Sequence, residues 1–434
     1  MAEKVELYRE TEFKDTDIEK IPKGWSVLRI GGLVEVGTGK RAKGGGLNEG
    51  TVASIGGEHI DNLGRIIWNE MKFIPNDFYN LLSQGKVKLG DILLVKDGAT
   101  TGKVAMIKNL RYDKVAVNEH VFVLRSKTEL LINDFLFYFL FSKYGQAQIK
   151  KRFHGIIGGI TKDDLENCLL PMPPLNEQRK ISEILSTVDE SIQKTDDIIA
   201  KTERLKKGIM QELLTKGIGH NEFKDTEIGK IPKEWEVVNL EGACVEITDG
   251  SHWSPKQVER SEYRIATVAN LRETYIDIDS CKFISEEDYM RLAKEGDVPR
   301  KDDILFSKDG TVGITFTFKQ DFYKIGLLSS IAIIRPNHEL LFSDFGAYAL
   351  KSPNILMQIT GWKTGTALRR ITLDNLKRVK IMLPPLQEQQ KIAEILSTVD
   401  KKLEILKQEK VKLERIKQWF MEELLTGRIR VRVA

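Results

Sequence analysis

The stretch PPLNEQRKISEILSTVD at 173–189 returns as PPLQEQQKIAEILSTVD at 384–400. Each copy reads as the start of a long helix. The paired prolines push the chain before them toward extended geometry. Behind them the apolar residues fall mostly three or four apart, at Ile181, Leu185, Val188, Ile192, Ile199, Leu205, Ile209 and Leu213, and again at Ile392, Leu396, Val399, Leu403, Leu406, Leu413, Ile416, Phe420 and Leu424. That is the spacing of a packed helix seam. Lys, Glu, Gln and Asp dominate between these positions, and Thr195, Thr202 and Lys410 interrupt the stripe. About 38 residues at ~1.5 Å rise give each helix a length of roughly 57 Å, longer than a small domain is wide. Neither helix can bury its own stripe, so the two are expected to pack on one another, antiparallel, in a nearly two-fold arrangement. The plainer alternative is that each lies on its own globular domain, since an apolar stripe needs only some partner.

The repetition extends well beyond these helices. EFKDTDIEKIPKGW at 12–25 returns as EFKDTEIGKIPKEW at 222–235, GDILLVKDG at 90–98 as DDILFSKDG at 302–310, and MQELLTKGI at 210–218 as MEELLTGRI at 421–429. The pieces keep their order at a nearly constant offset of roughly 210 residues, far beyond the ~20–50 of solenoid or propeller units, so a whole domain is duplicated. Between the helices, DILLVK, HVFVLRS, DILFS and SSIAIIRP are short β-branched or aromatic runs bounded by Gly, Asp or Pro, as strands should be. INDFLFYFLFSKYGQAQIKK and FSDFGAYALKSPNILMQIT have helical patterns with aromatic faces suited to a core. The expected class is α+β, two similar domains separated by two long antiparallel helices. An N-terminal segment of the repeat (1–24) precedes a first domain (25–175) and a central helix region (176–217). A linker (218–234), a second domain (235–386) and a C-terminal helix region (387–427) follow. Trp25 and Trp235, in the repeated phrase, read as core residues.

Composition and motifs exclude several functions. With 434 residues, 41% hydrophobic and 30% charged, the chain has the balance of a soluble two-domain protein with much solvated helix. No apolar run is long enough to span a bilayer, and MAEKVELYRE is too charged for a secretory signal, which makes the cytoplasm the default compartment. A net charge of +4 permits nucleic-acid binding without demanding it. Cys168, Cys244 and Cys281 lack paired spacing, and the six histidines lack metal-ligand spacing. GATTGKV at 98–104 has too few residues between its glycines for a phosphate loop, and Val104 stands where Ser or Thr should hold magnesium; VGTGKRAKGGG at 36–46 fails on spacing too. An adenine methyltransferase needs Asn or Asp before its Pro-Pro pair to hold the target amino group, whereas the pairs here read MPPL and LPPL. No catalytic constellation and no metal site is expected.

Taken together, the duplicated KIPK-x-W phrase, the GDIL/DDIL blocks and PPL-[NQ]-EQ-x-K-I-x-E-I-L-S-T-V-D resemble the specificity subunit of type I restriction-modification enzymes over essentially the whole chain. The resemblance implies two target-recognition domains, each reading one half of a split, asymmetric site in double-stranded DNA, with an antiparallel coiled coil fixing the gap. It implies docking of two copies of a modification subunit, which carry S-adenosylmethionine and methylate adenine. A third subunit type, restriction and translocation driven by ATP with magnesium, completes such complexes; no cofactor is expected on this chain. The competing readings are an atypical self-contained DNA methyltransferase with an unrecognised site, and a scaffold whose tandem domains bind only protein.

The expected DNA-binding residues lie in cation-bearing, glycine-rich loops whose backbone can approach phosphates. In the first domain these are Lys40, Arg41 and Lys43 of GKRAKGGG, and Lys150, Lys151, Arg152 and His154 of KKRFHGIIGG. In the second they are Ser251, His252, Trp253 and Lys256 of DGSHWSPK, and Lys363, Arg369 and Arg370 of GWKTGTALRR, with Trp362 alongside. A loop cation is ordinarily only solvated, and either tryptophan could simply anchor its loop. The KDG turns at Lys96–Gly98 and Lys308–Gly310 could be structural or could touch the ligand. The loops VGTGKRAKGGGLNEG and ITDGSHWSPKQVERS share little, so two different half-sites are expected. The helix seam is expected at Ile181, Leu185, Val188, Ile192, Leu396, Val399, Leu403 and Leu406.

Overall fold

The computed structural model describes residues 6–42, 45–155, 158–361 and 370–432. The chain forms two compact units, one made of Met1–Asp196 with Gln408–Ala434 and the other of Asp197–Lys407. The long helices, Leu175–Lys216 and Leu386–Leu424, each contribute a segment to both units. At 42 and 39 residues and ~1.5 Å per residue they are about 63 and 58 Å long.

In the first unit a four-stranded antiparallel sheet runs in the order Val34–Thr38, Val121–Ser126, Ile92–Val95, Val104–Met106. A three-stranded sheet is centred on Val52–Ile55, parallel to Lys114–Val117 and antiparallel to Lys72–Ile74. The aromatic helix Asn133–Phe141 buries Phe135 to Leu140 in the core, which also takes Ile181 and Leu185 from the start of the first long helix and Met421 and Leu424 from the end of the second. Farther along, Lys417 pairs with Asp189 at 2.6 Å and Lys410 with Asp196 at 2.7 Å. One number rises as the other falls, so these helix segments are antiparallel. The Glu6–Arg9 and Ile429–Arg432 strands, from opposite ends of the described chain, pair antiparallel.

The second unit repeats the plan. Its sheet runs Cys244–Asp249, Ile331–Pro336, Ile304–Ser307, Thr315–Thr317, and its smaller sheet is centred on Tyr263–Ala266 with the same mixture of parallel and antiparallel neighbours. Its core takes Ile392 and Leu396 from the start of the second long helix and Leu214 from the end of the first. Here Lys206 pairs with Asp400 at 2.5 Å and Lys407 with Glu203 at 3.5 Å, again antiparallel.

Both options left open by the stripe are therefore realised: the first turns enter their own domain's core, and later turns pair antiparallel. Ile192, Leu403 and Leu406 are buried, while Val188 and Val399 are half-buried. Leu205 and Ile416, read as part of the stripe, instead face solvent. The next residues, Lys206 and Lys417, turn inward, because each must meet the carboxylate of Asp400 or Asp189. Both aspartate side chains are 19% exposed, and at that turn of each helix an ion pair takes the place of an apolar contact.

Candidate nucleic-acid interface

Most of what the two halves share is spent on structure. The indole N–H of Trp25 donates to Glu177 at 3.2 Å, and that of Trp235 to Glu388 at 2.9 Å. The glutamates belong to the PPLxEQ phrases, so the two most conspicuous repeats meet each other. Arg430 forks onto Glu177 at 2.7 and 3.0 Å, and His220 takes the corresponding place against Glu388 at 2.9 Å. The neighbouring glutamines are buried clasps. Gln178 donates to the Leu130 and Pro173 carbonyls and accepts from the Ile132 N–H, and Gln389 does the same with Leu340, Pro384 and Phe342.

The other shared blocks behave alike. Asp91 of GDIL holds Arg125 through two bonds of 2.5 and 2.7 Å, and Asp303 of DDIL holds Arg335 at 3.0 and 3.1 Å. The last residue of each STVD accepts from a tyrosine of its domain's aromatic helix, Tyr138 to Asp189 at 2.8 Å and Tyr348 to Asp400 at 2.7 Å. Burial, reinforced by that carboxylate, pushes both phenols well above the usual tyrosine range.

What differs lies at one end of each four-stranded sheet. In the first unit the strand ending at Thr38 leads into Gly39, Lys40 and Arg41. Gly39 is pressed so close to the Val117 and Asn118 carbonyls that a Cβ there would collide with them, as one at Gly250 would with Leu327. Lys40 and Arg41 are exposed, and Arg41 lies 3.6 Å from Glu119. The KDG turn sits beside them: Lys96 N–H donates to the His120 carbonyl at 2.9 Å, Ile160 N–H to the Lys96 carbonyl at 2.7 Å, and Asp97 pairs with the His120 ring. The 150–160 loop thereby reaches the same edge. Lys150, Lys151 and His154 are exposed there, His154 within 2.9 Å of Asp164. Arg152 is committed to the Gln148 and Asn167 carbonyls, so its guanidinium braces the loop.

The second unit builds the matching edge from other residues. Lys308 N–H donates to the Ser330 carbonyl at 3.0 Å and Ile371 N–H to the Lys308 carbonyl at 2.9 Å, which makes Lys96 and Lys308, and His120 and Ser330, structural equivalents. Arg370, exposed, lies 3.7 Å from Asp309, the counterpart of Asp97. His252 is exposed beside Asp249, and Lys256 is exposed. Ser251, however, is 3% exposed and locked by backbone bonds to Leu327 and Ser329. Trp253 donates to Glu295 at 2.8 Å with Arg291 stacked 4.2 Å from its ring, as a loop anchor would be. Lys43, Trp362, Lys363 and Arg369 lie outside the described residues. Sequence reasoning singled out neither His120 nor the Asp249–Lys308 pair, because their roles arise from cross-strand register that no local motif announces.

The family model for the type I restriction modification DNA specificity domain matches twice, at residues 22–204 and 232–415. The chain belongs to the type I restriction-modification DNA specificity family. It is 29% identical to the type I restriction enzyme MjaVIII specificity subunit of Methanocaldococcus jannaschii, over 99% of this chain and 98% of that one. It is 27% identical to the putative MjaX specificity subunit of the same organism, over 99% of each. Among solved structures, the type I restriction-modification S subunit from M. genitalium aligns over 95% of this chain and 99% of its own with a TM-score of 0.57 at 16% identity. A chain from a structure of type I restriction-modification complex assembly and conformational transition gives 0.56 at 21% identity, over 94% and 99%. These last two likenesses speak for the fold. Each family match spans one domain and most of the long helix that follows it, so this specificity-family chain carries the motif as a tandem pair. Among the described residues, no helix is long and apolar enough to cross a membrane, and no cluster of His, Cys, Asp or Glu could hold a metal ion.

Proposed function

We propose that the chain is the DNA-reading subunit of a type I restriction-modification complex, in which the 25–175 domain reads one half of a split double-stranded site and the 235–386 domain the other. The observation that carries this is the tandem family match together with two equivalent sheet edges that differ in their side chains. One edge offers Lys40, Arg41, Lys150, Lys151 and His154, and the other His252, Lys256 and Arg370. Different donor sets on equivalent frames suit two different half-sites. The helices act as the spacer, and their paired face and repeat suit two copies of one modification subunit, which bring S-adenosylmethionine; ATP and magnesium belong to a restriction subunit where one joins. The complex acts in the cytoplasm.

Methylome mapping of the source cell with and without this gene tests the reading. One split motif should lose its adenine methylation on deletion. Methyl transfer to DNA by the isolated chain would instead favour a self-contained methyltransferase, and an intact complex that binds DNA without sequence preference would favour a protein scaffold.

A further inference from the structure

The same lysine of the duplicated KDG turn is built into two different environments. In the second unit Lys308 is 3% exposed, and its ammonium is ion-paired with Asp249, itself buried. Two small changes on adjacent strands make this possible. Asp249 lies directly across from Ala332, whose small side chain leaves room for a lysine to fold inward. In the first unit the same cross-strand pair is Thr38 and Phe122. Phe122 fills the space that Ala332 leaves open, and Thr38 offers no charge. Lys96 therefore lies over the Phe122 ring, 5.6 Å from its centre, and is half-buried with no carboxylate within ion-pairing distance among the described residues. Its neighbours at that edge are Gly39, Lys40 and Arg41 on one side and Asp97 and His120 on the other.

A charged ammonium with its stem on an aromatic face and its head unpaired is held ready for an anion. A buried, paired ammonium is not, since withdrawing it would leave the buried Asp249 with only the exposed His252 ring, 3.3 Å away, for a partner among the described residues. We infer that Lys96 is a DNA-contacting cation of the first domain, and that Lys308 is an internal brace that leaves the second domain without one at this position. The inference rests on the DNA-reading function proposed above. It makes the Thr38/Phe122 against Asp249/Ala332 exchange one source of the difference in how the two domains grip their half-sites.

The test uses the assembled complex with its modification subunit and duplexes bearing the split site, with affinity measured across a salt series. K96M keeps the stem over Phe122 and removes the charge. Losing one phosphate contact should make the slope of log K against log salt shallower by about 0.9, which is roughly an eightfold loss of affinity at 0.1 M salt. K96R should restore the slope. The paired replacement D249L/K308M removes both buried charges together, and it should bind with wild-type affinity and slope. Wild-type salt dependence for K96M, or a slope for D249L/K308M shallower by one contact, would overturn the inference. If the wild-type complex itself shows no preference for any split site, the proposed function fails instead.

Discussion

Replacing Asp400 with Ala should destabilise the second unit by about 3–4 kcal/mol, because one carboxylate serves two partners, a buried tyrosine and a partly buried lysine. Tyr348 donates to it at 2.7 Å, and Lys206 from the antiparallel helix lies 2.5 Å away, with the lysine and aspartate side chains 21% and 19% exposed. A hydrogen bond to an ionised acceptor is worth about 1.5–3 kcal/mol. Stranding a fully buried ion costs about 3–5 kcal/mol, but water still reaches one-fifth of this pair, so its share falls to about 1–2 kcal/mol. Lys407 and Glu203, 3.5 Å apart and both about half exposed, form the internal control: Lys407→Met should cost under about 1 kcal/mol. Hydrogen exchange read by mass spectrometry suits a two-unit protein, because it reports opening of the peptides around 340–352 and 386–400 without assuming one global transition. Tyr348→Phe alone should account for about half of the effect. A loss in D400A no larger than in the control would refute the assignment of Asp400 as the joint between domain and helix pair.

Other consequences follow from the same contacts. Tyr138 and Tyr348 keep their protons in the folded state while an unfolded tyrosine ionises near pH ~10, so stability is complete below that pH and falls above it by about 1.4 kcal/mol per pH unit for each tyrosine. Alkaline denaturation should show this slope, and Y138F/Y348F should flatten it. Leu403→Asp puts a carboxylate at a 6% exposed seam position and should cost several kcal/mol, about 2–7, measured by thermal unfolding. Ala349→Leu should stabilise the second unit by about 1–2 kcal/mol, since it fills part of a cavity of about 230 Å³ lined by Met210, Leu214, Phe345 and Met382. In the first unit Phe139 stands in that place and is buried.

The duplication, the α+β class and the two long helices were legible because each rests on long, periodic or repeated patterns. What the repeated residues do was less legible. Asp91 and Asp303, Glu177 and Glu388, and Gln178 and Gln389 repeat because each satisfies a polar partner far away in sequence, and only the fold brings Arg125, Trp25 or the Leu130 carbonyl within reach. The seam was misphased at Leu205 and Ile416 for a related reason: apolar spacing alone does not reveal that Asp400 and Asp189 await Lys206 and Lys417. At the sheet edges, loop cations could be counted from the sequence, but the commitment of Arg152 to carbonyls and of Trp253 to Glu295 could not. Nor could the contrast between Lys96 and Lys308, which depends on which residue faces which across two strands.

The most direct test of two readers joined by a helical spacer is to lengthen both helices and map methylation. Four residues inserted between Asp196 and Asp197, and four between Lys407 and Gln408, add about one turn and ~6 Å to each helix with a rotation error of only ~40°. Since DNA rises ~3.4 Å per base pair, the gap should grow by about one or two base pairs. Single-molecule sequencing of the mutant cell's DNA should then show the original half-sites, base for base, separated by a longer spacer. An unchanged spacer with full methylation, or half-sites with altered bases, would contradict it.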